Sequence, residues 1–281
     1  MNLEDRLLIK DDNNNAYGGN QEWYASNTKA YAGCGSVACA NMLRILCGKY
    51  PEVFSLSSGN LKAAMKPDID KTEYVCFMQS IYRRMFVYEV PVLRRIYDKF
   101  RRNNNPIKYI PPSLGMSISG FIRGTLRYAR MNGLLLHVHS KPTGFLSYDN
   151  GLEFIKEGID KAGSVVLLTS LNKHSLRLFG DYTLSEQTGY DTKGMKKHFA
   201  LITGIIEREN DVPLIKLSTW GKAGTVPYDE LNKSWKSIKA FTSCMYYFLP
   251  VKSKTVVRAD MRHAPVVFLR AILSGVLRRN I

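Results

Sequence analysis

The sequence has few cysteines, few acidic residues relative to basic ones, and no long apolar run. Five cysteines in 281 residues are too few, and odd in number, for a disulfide scaffold. The best apolar candidate, 264–276, is shorter than the roughly 20 residues that a membrane span needs and contains Arg270. These absences exclude a disulfide-rich secreted protein and a membrane-spanning one. A composition of 45% apolar and 23% charged residues is typical of a folded protein.

Targeting and metal-binding signals are also absent. The N-terminal stretch MNLEDRLLIKDDNNN starts with acidic residues and has only a short apolar run, unlike a secretory signal, so we expect a cytoplasmic protein. The spacing of Cys34, Cys39 and Cys47 matches no usual zinc pattern. We therefore expect neither a metal nor a cofactor.

Basic residues are abundant: 40 Lys and Arg against 24 Asp and Glu give a net charge of +16. They concentrate in 94–105 and in 251–281, but neither segment contains a recognisable nucleic-acid module. We expect solvated faces there, with no nucleic-acid partner. Contact of 255–281 with an anionic membrane surface is an alternative to a terminal helix docked on its own domain or on a second subunit.

The order of elements indicates an α+β fold, with helices first and a sheet second. A buried helix is predicted around 37–46, followed by a mainly helical block over 51–133 that we interpret as an insertion. The second half contains an amphipathic helix over 150–162 and strands over 134–138, 164–169, 198–206, 214–218 and 245–249. We expect one domain over 1–250 and a basic, partly apolar, helical tail over 251–281.

Cys34 is the candidate nucleophile. It stands at the first turn of the predicted buried helix, where the positive end of the helix dipole favours a thiolate. The flanking Gly33 and Gly35 would let a substrate backbone approach the sulfur. The other four cysteines, Cys39, Cys47, Cys76 and Cys244, are best assigned to the core.

A thiolate of this kind needs an imidazole, and His198 has the most suitable context. It opens the strand HFALITGI after the basic turn GMKK, so its ring should project from the mouth of a strand. His174, in a predicted loop, is the rival. The strand IKLSTWG then supplies Ser218 as a group to orient the imidazole, with Trp220 to shield that contact from water.

These residues together resemble a known family. The GCGSVACAN helix, the histidine of KKHFALITGI and the late STWG strand are similar, in kind and order, to papain-like cysteine peptidases, in the branch of the bacteriocin-exporter peptidase domains and their stand-alone bacterial relatives. The resemblance covers roughly 21–50 and 150–250. It implies a papain-like α+β fold with an N-terminal helical half packed on a C-terminal antiparallel sheet.

The resemblance also assigns roles. It implies Cys34 as nucleophile, His198 as general base and acid, Ser218 at the position of the third catalytic residue, and Asn27 as the upstream amide of the oxyanion hole. Gln21 competes with Asn27 for that last role. Ser218 stands where the family has Asn, so Asp229 is an alternative source of the orienting contact.

The expected activity is acyl transfer through a thioester on a peptide or protein substrate, by a peptidase or amidase, with acyltransferase chemistry as a variant. The net positive charge favours an acidic polypeptide as substrate. The alternative is a catalytically silent papain-like binding module, attached to an anionic membrane surface by its basic tail.

Overall fold

A long buried helix, α2 (Cys34–Lys49), forms the centre of the protein. The computed structural model describes residues 2–11, 15–89, 113–169, 176, 178, 195, 198–209, 211–235 and 243–251. Thirteen successive residues of α2, from Gly35 to Cys47, are buried. The helix is apolar on nearly all sides because the main sheet covers one side and helix α5 (Lys71–Tyr82) another.

The main sheet has six strands, and every described pairing within it is antiparallel. Its strands are β6 (Leu136–Pro142), β7 (Val165–Thr169), β8 (His198–Ile206), β9 (Leu214–Thr219), β10 (Lys222–Pro227) and β11 (Cys244–Pro250). Their spatial order is β10-β9-β8-β7-β11-β6. Strand β8 is therefore central, which fixes the position of its first residue, His198.

The remaining elements surround this centre. The other helices are α1 (Asn27–Ala32), α3 (Pro51–Phe54), α4 (Lys62–Met65), α6 (Ile118–Met131), α7 (Tyr148–Ala162) and α8 (Tyr228–Trp235). Two small sheets are built from β1 (Leu8–Lys10), β2 (Ala16–Tyr17) and β3 (Ile69–Asp70), and from β4 (Val87–Glu89) and β5 (Ser113–Met116). Short 3-10 turns lie at Leu3–Leu7, Gln21–Trp23, Gly59–Leu61 and Thr143–Phe145.

The predicted fold class is confirmed. The structure is α+β, with the helical half preceding an antiparallel sheet along the chain, and strand β8 has the predicted bounds. Helix α7 begins two residues earlier than predicted because Ser147, whose side chain accepts from the Asn150 amide, is its N-cap. The mainly helical character predicted for 51–133 is wrong at β3, β4 and β5, since strands of two to four residues leave no readable alternation.

Residues 1–251 form one compact unit. The predicted helical tail over 251–281 and the basic cluster over 94–105 lie outside the described residues. Within the described part of the chain, no helix has the length and apolarity to cross a membrane.

Candidate active site

Cys34 is the first residue of α2. Gly33 separates the two helices with φ −83° and ψ −5°, so α1 leads directly into α2. The early backbone N–H groups of α2 have no carbonyl one turn behind them within the helix, and they are free to face the Cys34 side chain. Cys34 is partly buried, whereas Cys39 and Cys47 further along the helix are buried.

Burial and hydrogen bonding have opposite effects on the Cys34 thiol. Removal from water raises its pKa above the ordinary value, and this effect dominates. The backbone N–H groups of Phe199, Gly35 and Cys34 itself lower the pKa in part. The expectation that the helix start by itself makes Cys34 a thiolate is therefore wrong. Burial raises the pKa of the thiol by more than the backbone N–H groups lower it.

The glycines beside Cys34 serve packing inside the protein. A Cβ on Gly33 would collide with the Tyr24 ring, and a Cβ on Gly35 would lie 2.8 Å from the Met116 sulfur. These contacts show that neither position has space for a side chain, and the access of a substrate backbone to the Cys34 sulfur stays a prediction.

His198 is brought to Cys34 by the packing of α2 against β8. The amide of Phe199, the next residue in β8, donates to the Cys34 sulfur, and both Cys34 and His198 line one pocket. His198 is buried, and this burial lowers its pKa to about 3, so its imidazole is neutral at physiological pH.

The imidazole of His198 is held from two sides. Its Nε2 lies 2.6 Å from the Thr219 hydroxyl oxygen, and its ring stacks on Trp220 with centroids 4.3 Å apart and planes 25° apart. With the Nε2 proton donated to Thr219, the lone pair of Nδ1 is available to accept a proton. Among the described residues, no hydrogen-bond partner occupies Nδ1.

Trp220 lies over His198 because of a tight turn. Trp220 and Gly221 form the two-residue link between β9 and β10, with φ of 51° and 75°. Positive φ at both positions is the geometry of a type I′ hairpin, and it is strained for Trp. The backbone of Tyr17 donates to the Gly221 carbonyl at 2.9 Å, and the Gly221 amide donates to Gly19 at 2.9 Å.

The Ser218 hydroxyl is hydrogen-bonded to groups other than His198. It donates to the Tyr17 carbonyl at 3.0 Å and accepts from the Asn41 amide at 3.3 Å. The oxygen of the same Asn41 side chain accepts from the Gly19 amide at 3.0 Å and from the Tyr74 hydroxyl. Ser218 thus belongs to a buried network that ties β9 and α2 to residues 17–19.

The pocket is small, with about 210 Å³ of empty space including its mouth. It is lined by Gln21, Cys34, Val37, Ala38, Asn41, His198, Phe199, Ser218, Thr219 and Trp220. Gln21 therefore shares the pocket with Cys34, and its amide oxygen is enclosed without a hydrogen-bond partner in the described structure. Asn27 is the first residue of α1, and its side chain lies outside the described residues, so its role stays a prediction.

The other residues considered as site candidates lie elsewhere or outside the description. Asp229 forms an ion pair with Lys233 on α8 at 2.7 Å. His174 lies outside the described residues. Cys76 is exposed, so its assignment to the core is wrong. Among the residues that the structure describes, no three His, Cys, Asp or Glu side chains are placed to hold a metal.

Sequence reasoning missed Thr219 as the partner of His198. The signal was present, because the strand reads Ser-Thr-Trp and successive side chains of a strand point to opposite faces. Only one of the two hydroxyls can face the imidazole. The alternation alone does not say which, since the register between β8 and β9 shifts between Ile202 and Gly204.

Comparison with known proteins adds a distant structural similarity. No family model and no curated protein matches the chain. Among solved structures, the chain is similar to the Pseudomonas avirulence protein AvrPphB, at 11% sequence identity and a TM-score of 0.30, over 80% of this chain and 95% of that one. The bacteriocin-exporter branch finds no counterpart in these comparisons and stays a prediction, and the functional proposal depends on the geometry around Cys34 and His198.

Proposed function

We propose that the protein is a cysteine-dependent hydrolase of the papain-like type that cleaves an amide bond in a peptide or protein. The observation that carries the proposal is the pocket shared by Cys34 and His198, in which Thr219 fixes the imidazole through Nε2. A nucleophile, a base and a group that orients the base are the parts that nucleophilic catalysis requires.

The resting pair is a neutral thiol and a neutral imidazole, because burial disfavours each charge taken alone. In the proposed step, the Cys34 proton passes to His198 Nδ1 as the sulfur bonds to the substrate carbonyl carbon. The carbonyl π pair moves onto oxygen. His198 then gives its proton to the leaving nitrogen as the C–N bond breaks, which leaves a thioester on Cys34.

Water completes the cycle. Its proton passes to His198 Nδ1 as its oxygen attacks the thioester, and the proton returns to sulfur when the C–S bond breaks. The pocket is narrow, with room for little more than one water molecule. This size favours a reactive slot beneath an extended polypeptide over a closed metabolite site.

The tetrahedral oxyanion needs donors, and we assign the Gln21 amide together with the Cys34 backbone N–H. Gln21 lines the pocket, its Oε1 has no partner among the described residues, and its Nε2 is the group that would donate to the oxyanion. Gln21→Ala should lower kcat on a fluorogenic peptide amide by about a hundredfold with little change in KM. Asn27→Ala is the matched comparison. A large loss in Asn27→Ala with an active Gln21→Ala would transfer the role to Asn27.

Thiol labelling tests the nucleophile. Cys76 is exposed and would react by itself, so the experiment uses a Cys76→Ser background. We expect one equivalent of iodoacetamide to be incorporated, incorporation to be lost in Cys34→Ala, and no change in Cys47→Ala. His198→Ala should slow the reaction, because the raised pKa of Cys34 leaves the thiol protonated at neutral pH unless a base accepts its proton.

The same assay separates the enzyme from a silent binding module. A neutral Cys34 thiol beside a neutral His198 imidazole would also be present in a papain-like domain without activity. Turnover of peptide amides that disappears in Cys34→Ala supports the hydrolase. A parent that is inert to both iodoacetamide and peptide amides would instead favour the module.

A further inference from the structure

Five exposed arginines, three on α6 and two on the turn after α5, form a basic surface. They are Arg83, Arg84, Arg123, Arg127 and Arg130, and we call them the arginine face. The segments that carry them, 83–86 and 113–135, contain no Asp or Glu. Among the described residues, none of the five forms an ion pair.

Helix packing joins these arginines into one surface. Arg123, Arg127 and Arg130 are spaced at i, i+4 and i+7, so they share one face of α6. The turn that follows α5 lies directly on the same helix: a Cβ on Gly124 would be 3.2 Å from the Arg84 carbonyl oxygen, and one on Gly120 would be 2.7 Å from that of Phe86. Arg84 and Phe86 therefore adjoin the helix.

Exposed apolar side chains border the arginine face. Seven large apolar side chains are notably exposed in the described residues, and five of them are in this region: Leu56, Phe86, Met131, Leu135 and Val251. We call these five the apolar rim. Leu56 is 82% exposed and Met131 53%.

Backbone contacts bring most of the rim to the C-terminal end of α6. The amide of Ser58 donates to the Asn132 carbonyl at 3.0 Å, and the amide of Val251 donates to the Leu135 carbonyl at 2.9 Å. These bonds place the segments of Leu56 and Val251 beside Met131 and Leu135.

Charge does not favour two of the long segments outside the described residues as occupants of the arginine face. Segments 90–112 and 252–281 carry six and seven Lys or Arg respectively, against one Asp each, whereas 179–194 carries three acidic residues against one Lys. The first two would be repelled by the arginines. The excess of guanidinium groups over carboxylates on the face itself favours an anionic partner.

We propose that the arginine face and the apolar rim bind an anionic lipid bilayer. Guanidinium groups pair with lipid phosphates and carboxylates, while Leu and Met side chains enter the boundary between headgroups and acyl chains. Nucleic acid would engage the arginines but offers aliphatic side chains such as Leu56 nothing to insert into. The inference is independent of the Cys34 site, because the arginines lie on the face of α6 opposite Phe121, which stacks on Phe199 at 4.7 Å.

Flotation of the full chain with vesicles tests the proposal. The protein should bind phosphatidylcholine vesicles that contain phosphatidylserine and not vesicles of phosphatidylcholine alone. Arg123→Glu/Arg127→Glu should weaken binding at least about 25-fold, since each basic residue near an anionic surface contributes roughly fivefold. Lys10→Glu/Lys233→Glu makes the same charge change at two exposed lysines outside the face, and it should retain most of the binding.

Leu56→Ser/Met131→Ser distinguishes lipid from other polyanions, and it should weaken vesicle binding about tenfold at unchanged charge. Circular dichroism on every variant establishes that it is folded. Three outcomes would overturn the proposal: a wild type that ignores anionic vesicles, an arginine variant that floats as well as the wild type, or a serine variant with unchanged binding. The last outcome, together with tight binding of RNA or of an acidic peptide, would assign the face to that polyanion.

Discussion

Thr219 and Ser218 are neighbours on β9, and their hydroxyls serve different parts of the molecule. Thr219 holds the imidazole of His198 at 2.6 Å, and Ser218 holds Tyr17 and Asn41. A threonine hydroxyl is a neutral partner that can donate or accept, so it positions the imidazole ring without the charge of a carboxylate. The choice of hydroxyl has measurable consequences.

Thr219→Val should lower kcat on a peptide amide about fivefold, because it removes a single neutral hydrogen bond of about 1 kcal/mol from the imidazole. Thr219→Ser should retain activity. Ser218→Ala should leave the pH profile of kcat/KM in place while it lowers the free energy of unfolding by about 1–2 kcal/mol, through the loss of buried hydrogen bonds. The opposite pattern, with Ser218→Ala altering the pH profile and Thr219→Val silent, would restore Ser218 as the orienting residue.

At the scale of elements, the β9–β10 turn connects the N-terminal segment to the site. The turn places Trp220 on His198 and is clamped by the backbone of residues 17–19. The same segment leads into Gln21, which lines the pocket. The turn and this segment therefore position both the indole that covers the imidazole and Gln21 in the pocket.

Gly221→Ala tests this turn. The space beside Gly221 is ordinary, with Asn20 Cβ 3.4 Å from a built Cβ, so the cost comes from its φ of 75° alone. We expect a loss of about 1–2 kcal/mol in the free energy of unfolding and a fall in kcat as Trp220 shifts. Gly204→Ala on β8, where a Cβ has room and φ is not positive, is the control and should be close to neutral. Equal unfolding curves for the two variants would contradict a strained turn.

At the scale of the whole molecule, His198 makes stability depend on pH. Its pKa is about 3 in the folded protein against about 6.5 when unfolded, so the unfolded chain binds the proton more tightly between these values. Stability is therefore full above about pH 6.5 and falls as the pH decreases toward 3. At pH 5 the loss from this group is about 2 kcal/mol, since each unit below 6.5 contributes about 1.4 kcal/mol.

Urea unfolding at pH 8 and pH 5 measures this effect. His198→Gln, which keeps a polar side chain without the titration, should lose about 2 kcal/mol less than the wild type between the two pH values. His137→Gln on β6 is the control, because His137 is exposed. If His198→Gln and the wild type lose the same free energy, burial of a neutral His198 is not what limits acid stability.

The sequence by itself determined the elements whose pattern is long. Nearly every residue of α2 is apolar or small, and β8 combines β-branched and aromatic residues over nine positions. The sequence therefore predicted β8 with its observed bounds and the central part of α2, over 37–46. Cys34 and His198 were singled out because each begins one of these elements. That placement depends on local chain geometry, which the sequence encodes directly.

Tertiary structure alone decided which groups meet at the site and in which ionisation state. Gln21 shares the pocket through the turn at residues 17–24, Thr219 faces His198 through the register of β9, and Cys76 is exposed through the rotation of α5. Burial raised the pKa of Cys34 against the helix amides that lower it. Register, rotation and desolvation depend on residues far apart in the chain, and local periodicity carries no information about them.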